Sequence, residues 1–200
     1  EQLMQQRPHA MQSLQIWVDD IVFVLDQLER LNHSQTIWNH QLNTNRIGVM
    51  GHSFGGTAAG EACLQDDRCA AGINLDGLQL GSMLHHPLTK PFLFIHHEPE
   101  QARNRTPNKF LLDRSQAEAY LILVRGSRHL NFCDFSLPVI AQTLSFPPNT
   151  LGPIDGIRCQ EIQNVCIRSF FDQSLQQVGQ CDWPNISRQY PEIELQMHSP

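Results

Sequence analysis

Apolar residues recur along this chain in two rhythms. Between Pro8 and Leu31, Met11, Leu14, Val18, Ile21, Leu25 and Leu28 return every three or four positions, which predicts one amphipathic helix with Pro8 in its first turn. Residues 32–45 are polar and read as a loop. Four short apolar runs follow, Arg46–Met50, Ala71–Leu75, Pro91–His96 and Ala119–Val124, each of the length and composition of a buried strand. Small residues and good helix formers from Thr57 to Ala62 follow the first run, and a helix is expected over Asn108–Glu118, before the fourth. This alternation predicts a mostly parallel sheet covered by helices on both faces. A long closing helix is expected over Ile154–Val178, then an irregular tail over Gly179–Pro200.

Composition narrows the class. With 200 residues, 40% of them hydrophobic, the chain can bury one sizeable core, so residues 1–200 are expected to form a single domain. A formal net charge of -6 and the lack of any Lys/Arg cluster argue against a nucleic-acid partner. No apolar run approaches the ~20 residues that a membrane-spanning helix needs. The chain opens at Glu1, without a methionine or a signal peptide, in or just before the first helix. Six cysteines without a C-x-x-C pair make a zinc ribbon unlike this chain. Cys159 and Cys166 in one helix would lie ~10 Å apart along its axis, too far to bridge, whereas Cys63 and Cys69 flank a helix end and could pair. The even count suits a secreted or periplasmic protein, and free buried thiols fit it as well.

The stretch Gly51-His52-Ser53-Phe54-Gly55-Gly56 lies between the first predicted strand and a small-residue helix. It fits G-x-S-x-G, the sharp turn that presents a nucleophilic serine at the end of a strand. The glycines let strand and helix pack closely around a strained serine. A serine hydroxyl needs a base, usually a histidine held in one tautomer by a carboxylate. In such folds the order is serine, acid, histidine, each on a loop after a strand. Asp76 ends the strand after the elbow and His129 lies just past the last parallel strand, so both suit. Glu98, after the third strand, is a rival acid whose spacing is also ordinary. The Ile73-Asn74-Leu75 strand aims Asp76 at the sheet end that carries Ser53, while Pro99 restricts the backbone of Glu98.

Other histidines compete for the base role. The side chain of His52, inside the elbow, is expected to point away from Ser53. His85-His86 and His96-His97 raise the question of metal ligation, but adjacent residues in a strand face opposite ways, and no H-x-x-x-H accompanies them. No metal site is therefore expected. His9, His33, His40 and His198 read as solvated.

Three segments together, Gly51 to Gly56, Gly72-Ile73-Asn74-Leu75-Asp76, and Arg125-Gly126-Ser127-Arg128-His129-Leu130-Asn131-Phe132-Cys133-Asp134-Phe135, resemble the plasma and isoform II type of platelet-activating factor acetylhydrolase. The resemblance spans residues 46–135. It implies an α/β-hydrolase fold in which Ser53 is the nucleophile, Asp76 the acid and His129 the base. It also implies an oxyanion hole with the Phe54 amide as one donor and a second donor on a loop after an earlier strand. The family has several strands before the elbow strand and none is read here, so the chain is expected to be the C-terminal part of the fold with Arg46–Met50 at an exposed sheet edge. The implied chemistry is hydrolysis of carboxylic esters through an acyl-serine, without metal or organic cofactor. Small-molecule or lipid esters with short acyl chains, such as sn-2 acetyl or oxidised phospholipids, are the implied substrates. The segment Gly77-Leu78-Gln79-Leu80 departs from the aromatic-rich stretch of lipoprotein-associated members. Polyester hydrolase, peptidase and dienelactone hydrolase activities stay open, as does a catalytically inactive binding module.

Overall fold

Five strands lie in one sheet in chain order: β1 (Ile47–His52), β2 (Cys69–Leu75), β3 (Phe92–His97), β4 (Ala119–Val124) and β5 (Ile193–His198). The structure, a computed structural model, describes residues 7–98, 107–144, 146–176 and 179–199. β1 to β4 pair in parallel. β5 returns antiparallel to β4, with Ala119 opposite His198 and Val124 opposite Ile193. The helices are α1 (Arg7–Asn32), α2 (Phe54–Gln65), α3 (Pro107–Asp113), α4 (Pro138–Leu144), α5 (Gly156–Phe171) and α6 (Trp183–Gln189). Among the described residues no helix is long and apolar enough to cross a membrane.

The period-2 pattern of the buried strands sorts their side chains between two cores. On one face Phe92 and Phe94 meet Leu121, the α3 residues Leu111 and Leu112, and Cys63 of α2. On the other, Leu93 and Ile95 join Ile73 and Ile122 against Ile162, Cys166 and Phe170 of α5 and Trp183 of α6. Complete burial of a large apolar side chain stabilises the fold by roughly 1.5–3 kcal/mol, and Phe92, Phe94 and Phe170 are all in that class. Outside α2 lies α1, whose Leu14 and Val18 pack on Ala58 and Ala62. The small residues of α2 allow that close approach but cover only part of the predicted stripe, so Met11 stays exposed. Arg68 fastens the start of β2 to α1 through Asp26 at 2.8 Å and Glu29 at 3.1 Å.

Several boundaries differ from expectation. The tail is not irregular, because it holds α6 and β5. The Asp182 side chain accepts from the Asn185 amide at 3.0 Å and Pro184 occupies the first turn of α6, a start signal for a helix too short to show periodicity. In β5, Ile193, Leu195 and Met197 alternate with Glu194 and Gln196, the pattern of a half-buried strand. The expected helix over 108–118 stops at Asp113, where Ser115 folds back and its hydroxyl donates to the Ala117 carbonyl at 2.7 Å. The closing helix begins at the Asp155 cap and ends its regular part at Phe171, followed by a π-helical turn, Asp172–Gln176. Cys63 and Cys69 form a disulfide with Cα atoms 5.1 Å apart, and Cys159 and Cys166 are free and buried. β1 stands at the sheet edge, as expected, with Met50 exposed.

Candidate active site

At the end of β1 the chain turns at Ser53 with φ 57° and ψ -124°, a left-handed conformation rare for a non-glycine residue. The turn is held from both sides. The Ser53 amide donates to the Leu75 carbonyl at 2.8 Å, and the Gly56 and Thr57 amides donate back to the Ser53 carbonyl. A Cβ on Gly51 would lie 2.3 Å from the Gly55 carbonyl carbon, and one on Gly56 would lie 2.4 Å from Asn74 Oδ1. These approaches explain Gly51 and Gly56, whereas a Cβ on Gly55 would meet only the Trp17 ring at 3.8 Å, so the close-packing expectation does not extend to that glycine. The contact at Gly51 is with backbone, which cannot step aside, so Gly51→Ala is expected to destabilise the protein by roughly 1–3 kcal/mol. Urea denaturation measures it, and an unchanged midpoint would refute the close-packing account.

Asp76 follows β2 directly. Its amide donates to the Ile95 carbonyl at 2.7 Å, and its own φ is 55°. The next residue must be glycine, because a Cβ on Gly77 would lie 2.1 Å from the Ser53 carbonyl oxygen. The acid loop therefore rides on the backbone of the elbow. The Asp76 side chain is 2% exposed and accepts from several donors. His129 Nδ1–H reaches Oδ2 at 2.6 Å, His97 Nδ1–H lies 2.7 Å from both oxygens, and the His97 amide donates to Oδ1 at 3.0 Å. His96 Nδ1 stands 3.5 Å from Oδ1. Burial pushes the Asp76 carboxyl up, but the hydrogen bonds from His96 and His97 outweigh it and hold the group well below the usual carboxylate range.

His129 opens a short 3-10 turn, His129–Phe132, after β4. The surrounding motif residues brace that turn. Asn131 Oδ1 accepts from the Arg128 amide at 2.8 Å and the Gly152 amide at 2.7 Å, and the Ser127 hydroxyl donates to the Val124 carbonyl at 2.6 Å. With Nδ1–H spent on Asp76, the His129 tautomer leaves Nε2 as a proton acceptor. Among the described residues no hydrogen bond joins the Ser53 hydroxyl to His129; in ligand-free sites such bonds are often long and close only around substrate. Glu98 does not reach the ring. Its Oε2 accepts from the Gly126 amide at 2.8 Å, bracing the loop that leads to His129.

For the histidines, one reading is extended and another corrected. His52 packs into the site: its ring stacks on that of His129 with centroids 4.7 Å apart, and its Nε2–H donates to the His129 carbonyl at 3.1 Å. Burial, then the neighbouring His129, lowers its pKa and so favours the neutral ring. His96 and His97 were expected to diverge, yet both rings approach Asp76. Strand alternation fixes the direction of Cβ, while Asp76 curls over the rim of the sheet, where the tips of long side chains from either face can meet.

A buried polar brace escaped the sequence reading. Asn74 Oδ1 accepts from the Gly77 amide at 2.7 Å and Asn74 Nδ2 donates to Gln79 at 3.0 Å. Asn108 Oδ1 accepts from the Gln79 amide, and its Nδ2 donates to the Gly77 carbonyl at 2.7 Å and to His96 Nε2 at 3.0 Å. Both capacities of the Asn108 amide are used, and His96 is left with its proton on Nδ1, toward Asp76. The one available signal was Asn74 itself, a polar residue inside an apolar strand that has to find a partner.

Phe54 supplies the first amide of α2, one of those without a partner inside a helix. Its ring is held edge-on by Trp17 of α1, with centroids 5.1 Å apart.

Comparison with known proteins places this geometry. The profile of the family described as "Platelet-activating factor acetylhydrolase, isoform II" matches residues 5–190. A platelet-activating factor acetylhydrolase of Cavia porcellus is 31% identical over 139 residues, covering 67% of this chain and 31% of the relative. A probable 1-alkyl-2-acetylglycerophosphocholine esterase of Arthroderma benhamiae is 28% identical over 193 residues, covering 88% of this chain and 47% of the relative. The chain thus spans less than half the length of these relatives. Among solved structures, a ferulic acid esterase from Streptomyces cinnamoneus superposes with a TM-score of 0.78 at 25% identity, over 93% of this chain and 55% of that one. The architecture is that of an α/β-hydrolase. Sheet, elbow and family profile agree, and the chain belongs to the platelet-activating factor acetylhydrolase, isoform II, family.

Proposed function

We propose that this chain carries the catalytic residues of a serine-dependent carboxylic ester hydrolase acting on short acyl esters, such as sn-2 acetyl or oxidised phospholipids. The observation that carries the reading is His129 Nδ1 at 2.6 Å from Asp76 Oδ2, at the sheet end where the elbow presents Ser53. In the reaction, Ser53 Oγ adds to the ester carbonyl while its proton passes to His129 Nε2. The Phe54 amide donates to the oxyanion, and Asp76 stabilises the imidazolium. Collapse of the tetrahedral species breaks the ester C–O bond, and His129 returns the proton to the departing alcohol. Water then attacks the acyl-serine with His129 as base, releasing the acid and restoring Ser53.

The names of the curated relatives, acetylhydrolase and acetylglycerophosphocholine esterase, favour a short acyl group, and the esterase among solved structures favours an ester over an amide. A fluorophosphonate probe is expected to label Ser53 in the native chain and to leave Ser53→Ala unlabelled. Turnover is expected to fall from p-nitrophenyl acetate to longer esters, with no cleavage of a peptide anilide. Absence of labelling at Ser53 would sink the hydrolase reading in favour of a binding module, and anilide cleavage would turn it toward a peptidase.

A further inference from the structure

We propose that Asp76, His97 and His129 form a binding site for a divalent late-transition-metal ion, zinc(II) foremost, whose occupancy silences the hydrolase. The silencing rests on the catalytic reading above; the binding does not. One ligand atom from each of the three residues lies within 4.8 Å of the others. His97 Nδ1 is 2.7 Å from both carboxylate oxygens and His129 Nδ1 is 2.6 Å from Oδ2. Two imidazole nitrogens and a carboxylate are a donor set that suits zinc, nickel and copper better than magnesium or calcium. Zinc takes such ligands at about 2.0–2.2 Å and accepts three protein donors with an open fourth position. The Asp76 side chain is buried, but those of His97 and His129 are 37% and 42% exposed, so an ion can enter from solvent.

The second histidine distinguishes this site from an ordinary acid–base pair. The hydrolytic reaction gives His97 no proton to move, and the bond from its backbone amide to Asp76 would persist whatever side chain stood there. His96 is not the third ligand, because Asn108 donates to its Nε2 and fixes the proton on Nδ1.

Binding and catalysis exclude each other through the tautomer. In the free protein both Nδ1 atoms carry protons directed at Asp76. Coordination uses the Nδ1 lone pairs, so in each neutral ring the proton moves through solvent from Nδ1 to Nε2. Waters leave the ion as the three coordinate bonds form, and neither net charge on the rings nor any oxidation state changes. His129 Nε2, the atom that must accept the Ser53 proton, is then already protonated, and the Asp76 carboxylate is bound to metal.

Titration of chelator-stripped protein with cobalt(II), read by visible absorption, tests binding without reference to activity. One ion per chain, displaced by zinc, is expected for the native protein and for Ser53→Ala. His97→Ala is expected to weaken binding roughly 10–100-fold or more, the scale of a perturbed ligand set, and to raise the zinc concentration that halves its own metal-free rate by the same factor. His97→Asn repeats the test if circular dichroism shows that the alanine variant has not folded. Absence of cobalt bands, or equal affinity in the His97 variants, would overturn the site. So would a loss caused instead by His40→Ala, which would place the ion at the exposed His33–His40 ring contact. Binding lost with His97 while zinc leaves native turnover untouched would keep the site and overturn both the silencing and the triad on which it rests.

Discussion

Ser53→Ala and His129→Ala are each expected to lower ester turnover on the order of 10⁴–10⁶-fold, with the double variant little worse than either single one. Nucleophile and base move one proton between them, so removing either ends the same step and their losses do not add. Neither substitution should unfold the chain. The Ser53 hydroxyl makes no hydrogen bond among the described residues, and the elbow is held by its backbone and glycines. The His129 side chain is part-exposed, and its loss leaves Asp76 with His97 on both oxygens. Steady-state kinetics on p-nitrophenyl acetate with circular dichroism as the folding control measures this. A double variant ~10³-fold worse than either single one would show that the two residues act separately.

Asp76→Asn is expected to reduce turnover ~10⁴-fold, because an amide in place of the carboxylate leaves His129 in the wrong tautomer. Glu98→Gln should change the rate little. Among the described residues Glu98 accepts from the Gly126 amide, and the glutamine carbonyl can accept that bond too. The opposite pattern would move the acid to Glu98. The charge on Asp76 also carries a pH signature. Its folded pKa is depressed, so its contribution to stability is complete above the unfolded value of about 3.9 and is lost only as the pH falls toward the folded one. A decline in rate between about pH 7 and pH 5 thus does not come from Asp76. Comparing urea stability of the native chain and Asp76→Asn down through pH 4 checks the sign: the gap should hold above that pH and narrow below it.

Part of the candidate site is legible locally. Gly51 and Gly56 stand where any Cβ would strike backbone or Asn74, and that constraint is written within a few residues of Ser53. The four parallel strands are equally local, since each is an apolar run that both faces of a covered sheet demand. Boundaries were harder. The helix over Pro107–Asp113 ends where the Ser115 hydroxyl turns to the Ala117 carbonyl, α5 passes into a π-helical turn after Phe171, and β5 is only six residues long.

What the chain settles by itself, then, is the elbow turn and the parallel strands, because each depends on neighbours a turn or a strand away. Tertiary structure alone decided which groups gather at Asp76. Strand register brings β3 alongside β2, placing His96 and His97 at the rim where the acid turns over it. Helix α3 delivers Asn108 from 31 residues beyond Gly77 to close the brace beneath. His52 finds His129 across 77 residues of chain. Such contacts are set by where the tips of long side chains end after the sheet has assembled, and periodicity along the chain, which specifies only the direction of each Cβ, does not carry that information.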